Sequence, residues 1–172
     1  MHRIILPALS LVLIAVLSAC SQEEIPEGTG TLEVADGVYA YVAEGPSSSQ
    51  GLGANSGFIA GEEAVLVVDT RYTPALAAEL AEAIGEVTGL PVEYAINTHY
   101  HPDHLWGNEV FAGLGATLLA RPETIAEIER YTPVYKEYYR QNRPDVYSMI
   151  EGVEAVLPDT VRGARTVLDL GG

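Results

Sequence analysis

Three of the four histidines in the 172-residue chain fall in one segment, NTHYHPDHLWGN. The spacing is H-x-H-x-D-H and brings together His99, His101, Asp103 and His104. Imidazole and carboxylate groups are ligands for zinc and similar divalent metals. Residues i and i+2 of an extended loop point the same way, so His99 and His101 can grip one ion. Asp103 and His104 point elsewhere, beyond a turn stiffened by Pro102, and could hold a second ion.

Such a pair of metals has a definite chemistry. Two ions at roughly 3.5–4 Å can share a hydroxide and polarise a substrate carbonyl or phosphoryl group. An isolated histidine would more simply be a satisfied core or surface residue. Three histidines and an aspartate at this spacing, in a loop after a buried strand, favour a metal site instead.

The elements around the cluster predict an α/β fold with the cluster at a sheet edge. The nearly all-apolar run AVLVVD is typical of a strand covered on both faces. Thr73 and Pro74 mark the start of a helix and Gly89 its end. The histidine loop directly follows a short strand, and ligand sites of α/β sheets lie at that end of a strand. We predict strands at 31–42 (a hairpin about Asp36-Gly37), 56–60, 64–68, 92–96, 116–120 and 166–170, and helices at 74–88, 105–112, 121–140 and 146–155.

The motif THYHPDH resembles the signature of the metallo-β-lactamase superfamily. The preceding order is similar too: an early hairpin, the segment NSGFIAGEEAVLVVDT, a helix and a short strand. The resemblance covers residues 31–172. It implies an αββα sandwich of two similar halves, of which this chain would supply the N-terminal half.

The resemblance also implies roles for individual residues. His99 and His101 would bind a first zinc, and Asp103 and His104 a second, with Asp103 also counted as catalytic. Asp69 resembles the aspartate that supports the histidine loop from behind, although it could simply cap its strand. Zinc is the expected metal, with two ions in the complete protein; iron or manganese are alternatives.

Three further family ligands have no counterpart in this chain. They are a histidine for the first metal, a bridging aspartate or cysteine, and a histidine for the second, whereas no histidine follows His104. We therefore expect a C-terminally truncated domain and little activity from the 172 residues alone. Asp145, Asp159 and Asp169 could in principle substitute, but their spacing does not favour it.

The N-terminus predicts export. Residues 1–19 have a short basic head, an apolar run too short to span a bilayer, and small residues ahead of Cys20, the only cysteine. This resembles a bacterial lipobox and implies lipidation of Cys20, a tether over 20–30 and a domain over 31–172. An ordinary cleaved signal is the alternative. The expected location is the cell envelope facing the periplasm, at the outer membrane if the bacterium has two membranes.

Composition excludes one class of partner. The formal charge is −15, with nine lysines and arginines. Nucleic acid is therefore not expected as a partner, because phosphate binding needs many basic groups. The acidity itself is most simply a solubilising surface.

Four further features have both a functional and a packing interpretation. The tyrosines 131, 135, 138 and 139 share one helix face and could form an aromatic wall beside the substrate or pack against the protein, which we favour. Trp106 could line the pocket or anchor the short helix. Gly107 is expected to allow close approach behind the metal loop. The loop 45–57 resembles the family loop that overhangs the metals, or is a solvated connector.

The predicted function is hydrolysis of a small-molecule ester, thioester or amide (β-lactam-like) by a metal-bound hydroxide. His104 is shared by glyoxalase II-like thioesterases, one β-lactamase subgroup, nucleases and other hydrolases, so the motif specifies the metal chemistry better than the substrate. The alternative is a non-catalytic metal-binding lipoprotein or an inactive remnant of such an enzyme.

Overall fold

The computed structural model describes residues 29–43, 53–161, 163 and 165–171. The predictions for the signal peptide 1–19, for Cys20, for nearly all of the tether and for most of the loop 45–57 lie outside these residues. Among the described residues, no helix combines the length and apolarity that crossing a membrane requires.

The described residues form one mixed seven-stranded sheet with helices between its parallel strands. The strands are β1 (Gly30–Ala35), β2 (Val38–Val42), β3 (Ser56–Ala60), β4 (Val65–Val68), β5 (Val92–Ile96), β6 (Thr117–Ala120) and β7 (Asp159–Thr160). The helices are α1 (Pro74–Val87), α2 (Pro102–Leu105), α3 (Asn108–Gly113), α4 (Pro122–Asn142) and α5 (Pro144–Ile150).

Strand order in the sheet follows chain order, and the pairing changes at β4. Strands β1 to β4 pair antiparallel, whereas β4 to β7 pair parallel. Parallel strands end at the same edge of a sheet, so the segments after β4 and β5 meet there. That edge receives Asp69 from one strand and the histidine loop from the next.

A main hydrophobic core lies between one face of the sheet and the helices α1 and α3. It contains Val65 and Val67 of β4, with Leu80 of α1 and Phe111 of α3. The alternate β4 residues are partly buried, so one face of the strand is covered more completely than the other. A second core under α4 and α5 contains Tyr72, Leu105, Trp106, Ile128, Val146, Ile150 and Val153.

The predicted elements are mostly present, and local signals explain their starts. Thr73 caps α1 by accepting a hydrogen bond from the backbone N–H of Leu76 at 3.2 Å. Gly37 takes a φ of 68° in the turn of the first hairpin, as glycine does at little cost.

Several element boundaries differ from the sequence predictions, strand β7 was not predicted, and one predicted strand is absent from the described residues. The helix predicted at 105–112 is two helices, α2 and α3, and the one at 146–155 ends as α5 at Ile150. Helix α4 continues to Asn142. The strand predicted at 166–170 is wrong: this segment has no strand ladder, although the carbonyl of Leu170 accepts hydrogen bonds from Glu63 and Ala64.

Candidate metal centre

The centre is assembled from the ends of two neighbouring parallel strands. Asp69 follows β4 directly, and its backbone N–H donates to the carbonyl of Ile96 at 2.9 Å, which ties it to the end of β5. Its φ is +62°, a left-handed conformation that aspartate tolerates better than most residues. The histidine loop follows β5, and α2 contributes Asp103 and His104. The sheet edge therefore brings all five predicted site residues into one region.

Asp69 is the hydrogen-bonding hub of the centre. Its Oδ2 accepts from His104 Nδ1 at 2.7 Å and from the Thr98 hydroxyl at 2.8 Å. Its Oδ1 accepts from the Thr98 backbone N–H at 2.8 Å. The side chain is 7% exposed, so these bonds lie in a largely water-free setting. Asp69 thus fixes the start of the histidine loop and one face of His104.

These contacts determine which histidine nitrogens can bind a metal. A carboxylate only accepts, so His104 must carry its proton on Nδ1, which leaves Nε2 with a lone pair. The Thr98 hydroxyl donates its only proton to Asp69, so it accepts from His99 Nδ1, 3.0 Å away. His99 Nε2 therefore carries a lone pair, which can accept a hydrogen bond from His101 Nδ1 at 3.0 Å or bind a metal. A metal ligand is commonly oriented in this way by a hydrogen bond at its other ring nitrogen.

His99 and His101 form the first donor pair. His99 Nε2 and His101 Nδ1 are 3.0 Å apart. Two nitrogens bound to one tetrahedral zinc at about 2.0–2.1 Å are separated by about 3.3 Å. The observed spacing is close to that value, and the donor atoms face each other.

Asp103 and His104 form the second donor pair. His104 Nε2, the nitrogen left free by Asp69, lies 3.6 Å from Asp103 Oδ2. Both side chains are partly exposed, which leaves a ligand access to them. The rings of His99 and His104 are 4.0 Å apart between centroids, so the two pairs adjoin. A nitrogen and carboxylate pair suits the same divalent metals as the first.

Only one group of three possible ligand atoms is present among the described residues, and it includes neither His101 nor Asp103. Asp69, His99 and His104 each offer an atom within 4.8 Å of those of the other two. Both oxygens of Asp69 are, however, already engaged with Thr98 and His104. In this arrangement Asp69 therefore orients Thr98 and His104, and it could bind a metal only by giving up one of these hydrogen bonds.

The local electrostatics shift the pKa values of His99 and His104 in opposite directions. Burial alone would lower the pKa of His104, but the hydrogen bond and the negative charge of Asp69 outweigh it, and the pKa is raised. The pKa of His99 is lowered by burial and then by the neighbouring His104 and His101. His99 is thus held neutral, the form in which imidazole binds metal.

A buried amide network behind the centre holds the backbone of His104. Asn97 and Asn108 exchange hydrogen bonds through their side chains at 3.0 and 2.9 Å. The carbonyl of His104 accepts from Asn97 Nδ2 and from the backbone N–H of Thr70, both at 2.9 Å. Asn108 also accepts from the Thr70 hydroxyl at 2.7 Å and donates to the carbonyl of Val156 at 2.9 Å. The sequence did not lead us to predict this network. Its one sequence signal is that Asn97 and Asn108 flank the histidine motif.

Gly107 lies where the backbone behind the centre is most crowded. A Cβ at this position would come within 2.0 Å of the Thr70 carbonyl oxygen and 2.5 Å of Ala77 Cβ. The backbone N–H of Gly107 donates to the carbonyl of Arg71 at 3.1 Å. The predicted close approach is therefore present.

The aromatic residues divide into a supporting group and a group beside the histidines. Trp106 is 1% exposed and packs against Tyr72 and Tyr139, so it anchors the short helix and does not line a pocket. Tyr131 and Tyr135, both partly exposed, stack or tilt against Tyr100 of the histidine loop.

The alternative carboxylates do not join the centre in the described structure. Asp145 is paired with Arg143, and Asp169 accepts from the backbone N–H of Gly171. Asp159 is an exposed residue of β7. No group of three ligand atoms among the described residues includes any of them.

Comparison with known proteins assigns the chain to a family. The sequence profile described as Metallo-beta-lactamase superfamily (Lactamase_B) matches residues 49–172, which contain the whole centre. The chain therefore belongs to the metallo-beta-lactamase superfamily, as the motif predicted.

Solved structures of similar fold support the architecture. TMB-1 matches with a TM-score of 0.55 and 19% identity over 84% of this chain and 56% of its own. A metallo beta lactamase from Erythrobacter litoralis, with beta-mercaptoethanol in its active site, matches with a TM-score of 0.51 and 21% identity over 58% of this chain and 44% of its own. One from Hirschia baltica matches with a TM-score of 0.50 and 21% identity over 62% and 49%. At these identities the likeness shows the fold, and the chain spans about half the length of the structures it matches.

Proposed function

We propose that this protein is a metal-dependent hydrolase that cleaves an ester, thioester or amide bond of a small molecule. The single observation that carries the proposal is that four possible ligand atoms meet in two pairs at one edge of the sheet. His99 Nε2 faces His101 Nδ1 at 3.0 Å, and His104 Nε2 faces Asp103 Oδ2 at 3.6 Å. Asp69 and Thr98 hold the protons of His99 and His104 on the opposite nitrogens.

The residues have distinct tasks in this proposal. His99 and His101 hold one divalent cation, and Asp103 and His104 hold the second; zinc suits both donor sets. Bound metal of this kind supplies a nucleophile at neutral pH and polarises a carbonyl group. Asp69 orients His104 directly and His99 through Thr98, and the amides of Asn97 and Asn108 fix the backbone behind them. Asp103, which lies beside His104, is the proposed catalytic carboxylate.

Export and lipid anchoring at Cys20 belong to the same proposal. They are supported by the sequence alone, through the basic head, the apolar run and the small residues ahead of the cysteine. The hydrolase would then act on small molecules in the cell envelope, facing the periplasm.

Metal analysis tests whether the protein binds a metal, on which the whole proposal depends. The purified chain is expected to retain zinc, iron or manganese, and His101→Ala is expected to retain less metal because one donor pair is broken. Asp145→Ala is the matched control, since Asp145 is an exposed carboxylate paired with Arg143. The hydrolase proposal would be refuted if neither the wild-type protein nor any longer form of it retained zinc, iron or manganese.

Substrate choice is tested separately. Turnover of the β-lactam nitrocefin, abolished by a chelator, would favour a β-lactamase, whereas turnover of thioesters or simple esters alone would favour a thioesterase-like enzyme. A metal-loaded protein that hydrolyses none of these classes would support the alternative, a non-catalytic metal-binding lipoprotein.

A further inference from the structure

Three tyrosine rings form a continuous surface beside the first donor pair, and we call it the tyrosine shelf. It consists of Tyr100, Tyr131 and Tyr135. The ring of Tyr100 stacks on Tyr131 with centroids 4.9 Å apart and an interplanar angle of 28°. Tyr135 lies 6.5 Å from each of the other two rings. All three side chains are partly exposed, so the shelf is accessible as well as packed.

The shelf adjoins His101 directly. The His101 ring lies 4.8 Å from Tyr100 and 6.2 Å from Tyr135, which it meets edge to face. Tyr100 itself stands between the two histidines of the first pair in the sequence. A group extending from a carbonyl held near His101 would therefore lie within a few ångströms of the shelf.

The shelf is rigidly supported from behind. Tyr135 stacks on Tyr139 with centroids 6.5 Å apart, and Tyr139 meets the buried rings of Tyr72 and Trp106 at 6.1 and 6.4 Å. Tyr72 and Trp106 are each 1% exposed. A surface already ordered by the core loses little side-chain freedom when a ligand binds.

The charge near the tyrosine shelf restricts which class of ligand can bind there. The Arg130 guanidinium lies over the Tyr131 ring, 5.1 Å from its centroid. A cation there, together with divalent metal at the histidine end, disfavours a positively charged ligand. Aromatic faces prefer offset or edge-on contact with another aromatic ring. Resting on the proposed hydrolase function, we propose that the tyrosine shelf binds the acyl part of the substrate and selects flat aromatic acyl groups that are neutral or anionic.

The test compares binding with turnover in the metal-loaded full chain. Competition or calorimetry measures the affinities of phenylacetate and acetate. Steady-state assays measure kcat/KM for the hydrolysis of p-nitrophenyl phenylacetate and p-nitrophenyl acetate. We expect a phenylacetate preference of about tenfold, from one favourable aromatic contact. Tyr131→Leu and Tyr135→Leu should each reduce that preference by about threefold or more, whereas Tyr131→Phe should preserve it because stacking is kept.

Tyr138→Leu is the matched control, since Tyr138 lies on the same helix, is 55% exposed and is not part of the shelf. The preference should be unchanged in this variant. Equal affinities for phenylacetate and acetate in the wild type would overturn the proposed role of the tyrosine shelf. An equal loss of the phenylacetate preference in Tyr131→Leu and Tyr138→Leu would do the same. Failure of a longer form of the chain to hydrolyse either ester would overturn the hydrolase proposal, while the ratio of the two affinities would still test the tyrosine shelf.

Discussion

At the residue scale, one carboxylate reaches two of the three histidines in the centre. Asp69 bonds His104 directly at 2.7 Å and reaches His99 through the Thr98 hydroxyl, which is 2.8 Å from Asp69 Oδ2 and 3.0 Å from His99 Nδ1. This chain of bonds selects the tautomer of each ring. The side chain of Thr98 therefore matters to metal binding although its hydroxyl does not belong to either donor pair.

Thr98→Val tests this relay, because valine keeps the shape of threonine and removes the hydroxyl. We expect the affinity for the metal held by His99 and His101 to fall about 10- to 100-fold, as for other changes in groups that orient a ligand. Zinc titration against a chromophoric chelator measures it. Thr98→Ser, which keeps the hydroxyl, should bind like the wild type; a valine variant with wild-type affinity would contradict the relay.

The donor residues were predictable from sequence, and their orientation was not. Spacing alone paired His99 with His101 and Asp103 with His104, since neighbouring residues of a loop stay close in any conformation. The metal-ligand roles themselves remain predictions. The bonds from Asp69 to Thr98 and His104 join residues distant in the chain, so only the pairing of β4 with β5 reveals them.

At the element scale, the centre depends on how closely α2 and α3 approach the loop after β4. Gly107 lies between these two helices, and its N–H bonds the carbonyl of Arg71. The backbone of Arg71 has a φ of +77°, a conformation that costs an arginine energy and that persists only when its surroundings hold it. Close backbone contact at Gly107 helps to provide that restraint.

Gly107→Ala should therefore lower the free energy of unfolding by about 1–3 kcal/mol and weaken metal binding, because the added Cβ meets backbone that cannot easily move. Urea unfolding of the metal-free protein measures the stability change. Gly85→Ala is the control within α1: its Cβ would have no atom within 4 Å, and we expect a gain of about 0.5–1 kcal/mol. A neutral Gly107→Ala would show that this contact does not limit the approach.

Elements with strong local signals were predicted, whereas those made by distant pairing were not. Thr73 and Pro74 marked α1 correctly, and Asp36-Gly37 marked the hairpin turn. Strand β7 has two residues and exists only because it pairs with Leu119 and Ala120 of β6. Conversely, residues 166–170 are rich in the apolar residues typical of a strand, yet the carbonyl of Leu170 accepts hydrogen bonds from the turn between β3 and β4 instead.

At the scale of the whole molecule, the centre joins parts of the chain that separate when the protein unfolds. Asp69 and His104 are 35 residues apart, and they meet only while β4 and β5 are paired. A metal held by the native arrangement therefore binds the folded state much better than the unfolded one. Ligands of this kind stabilise the fold by mass action.

Thermal unfolding tests this coupling between metal and fold. At free zinc about a hundredfold above the dissociation constant, one site contributes about 2.7 kcal/mol. For a domain of this size each kcal/mol raises Tm by about 2–4 °C, so zinc should raise Tm by roughly 5–10 °C and a chelator should reverse the shift. His101→Ala should reduce the rise, and Asp145→Ala should not, because Asp145 lies outside the centre and pairs with Arg143. A rise in Tm of the same size in both variants would contradict zinc binding by the pair of His99 and His101.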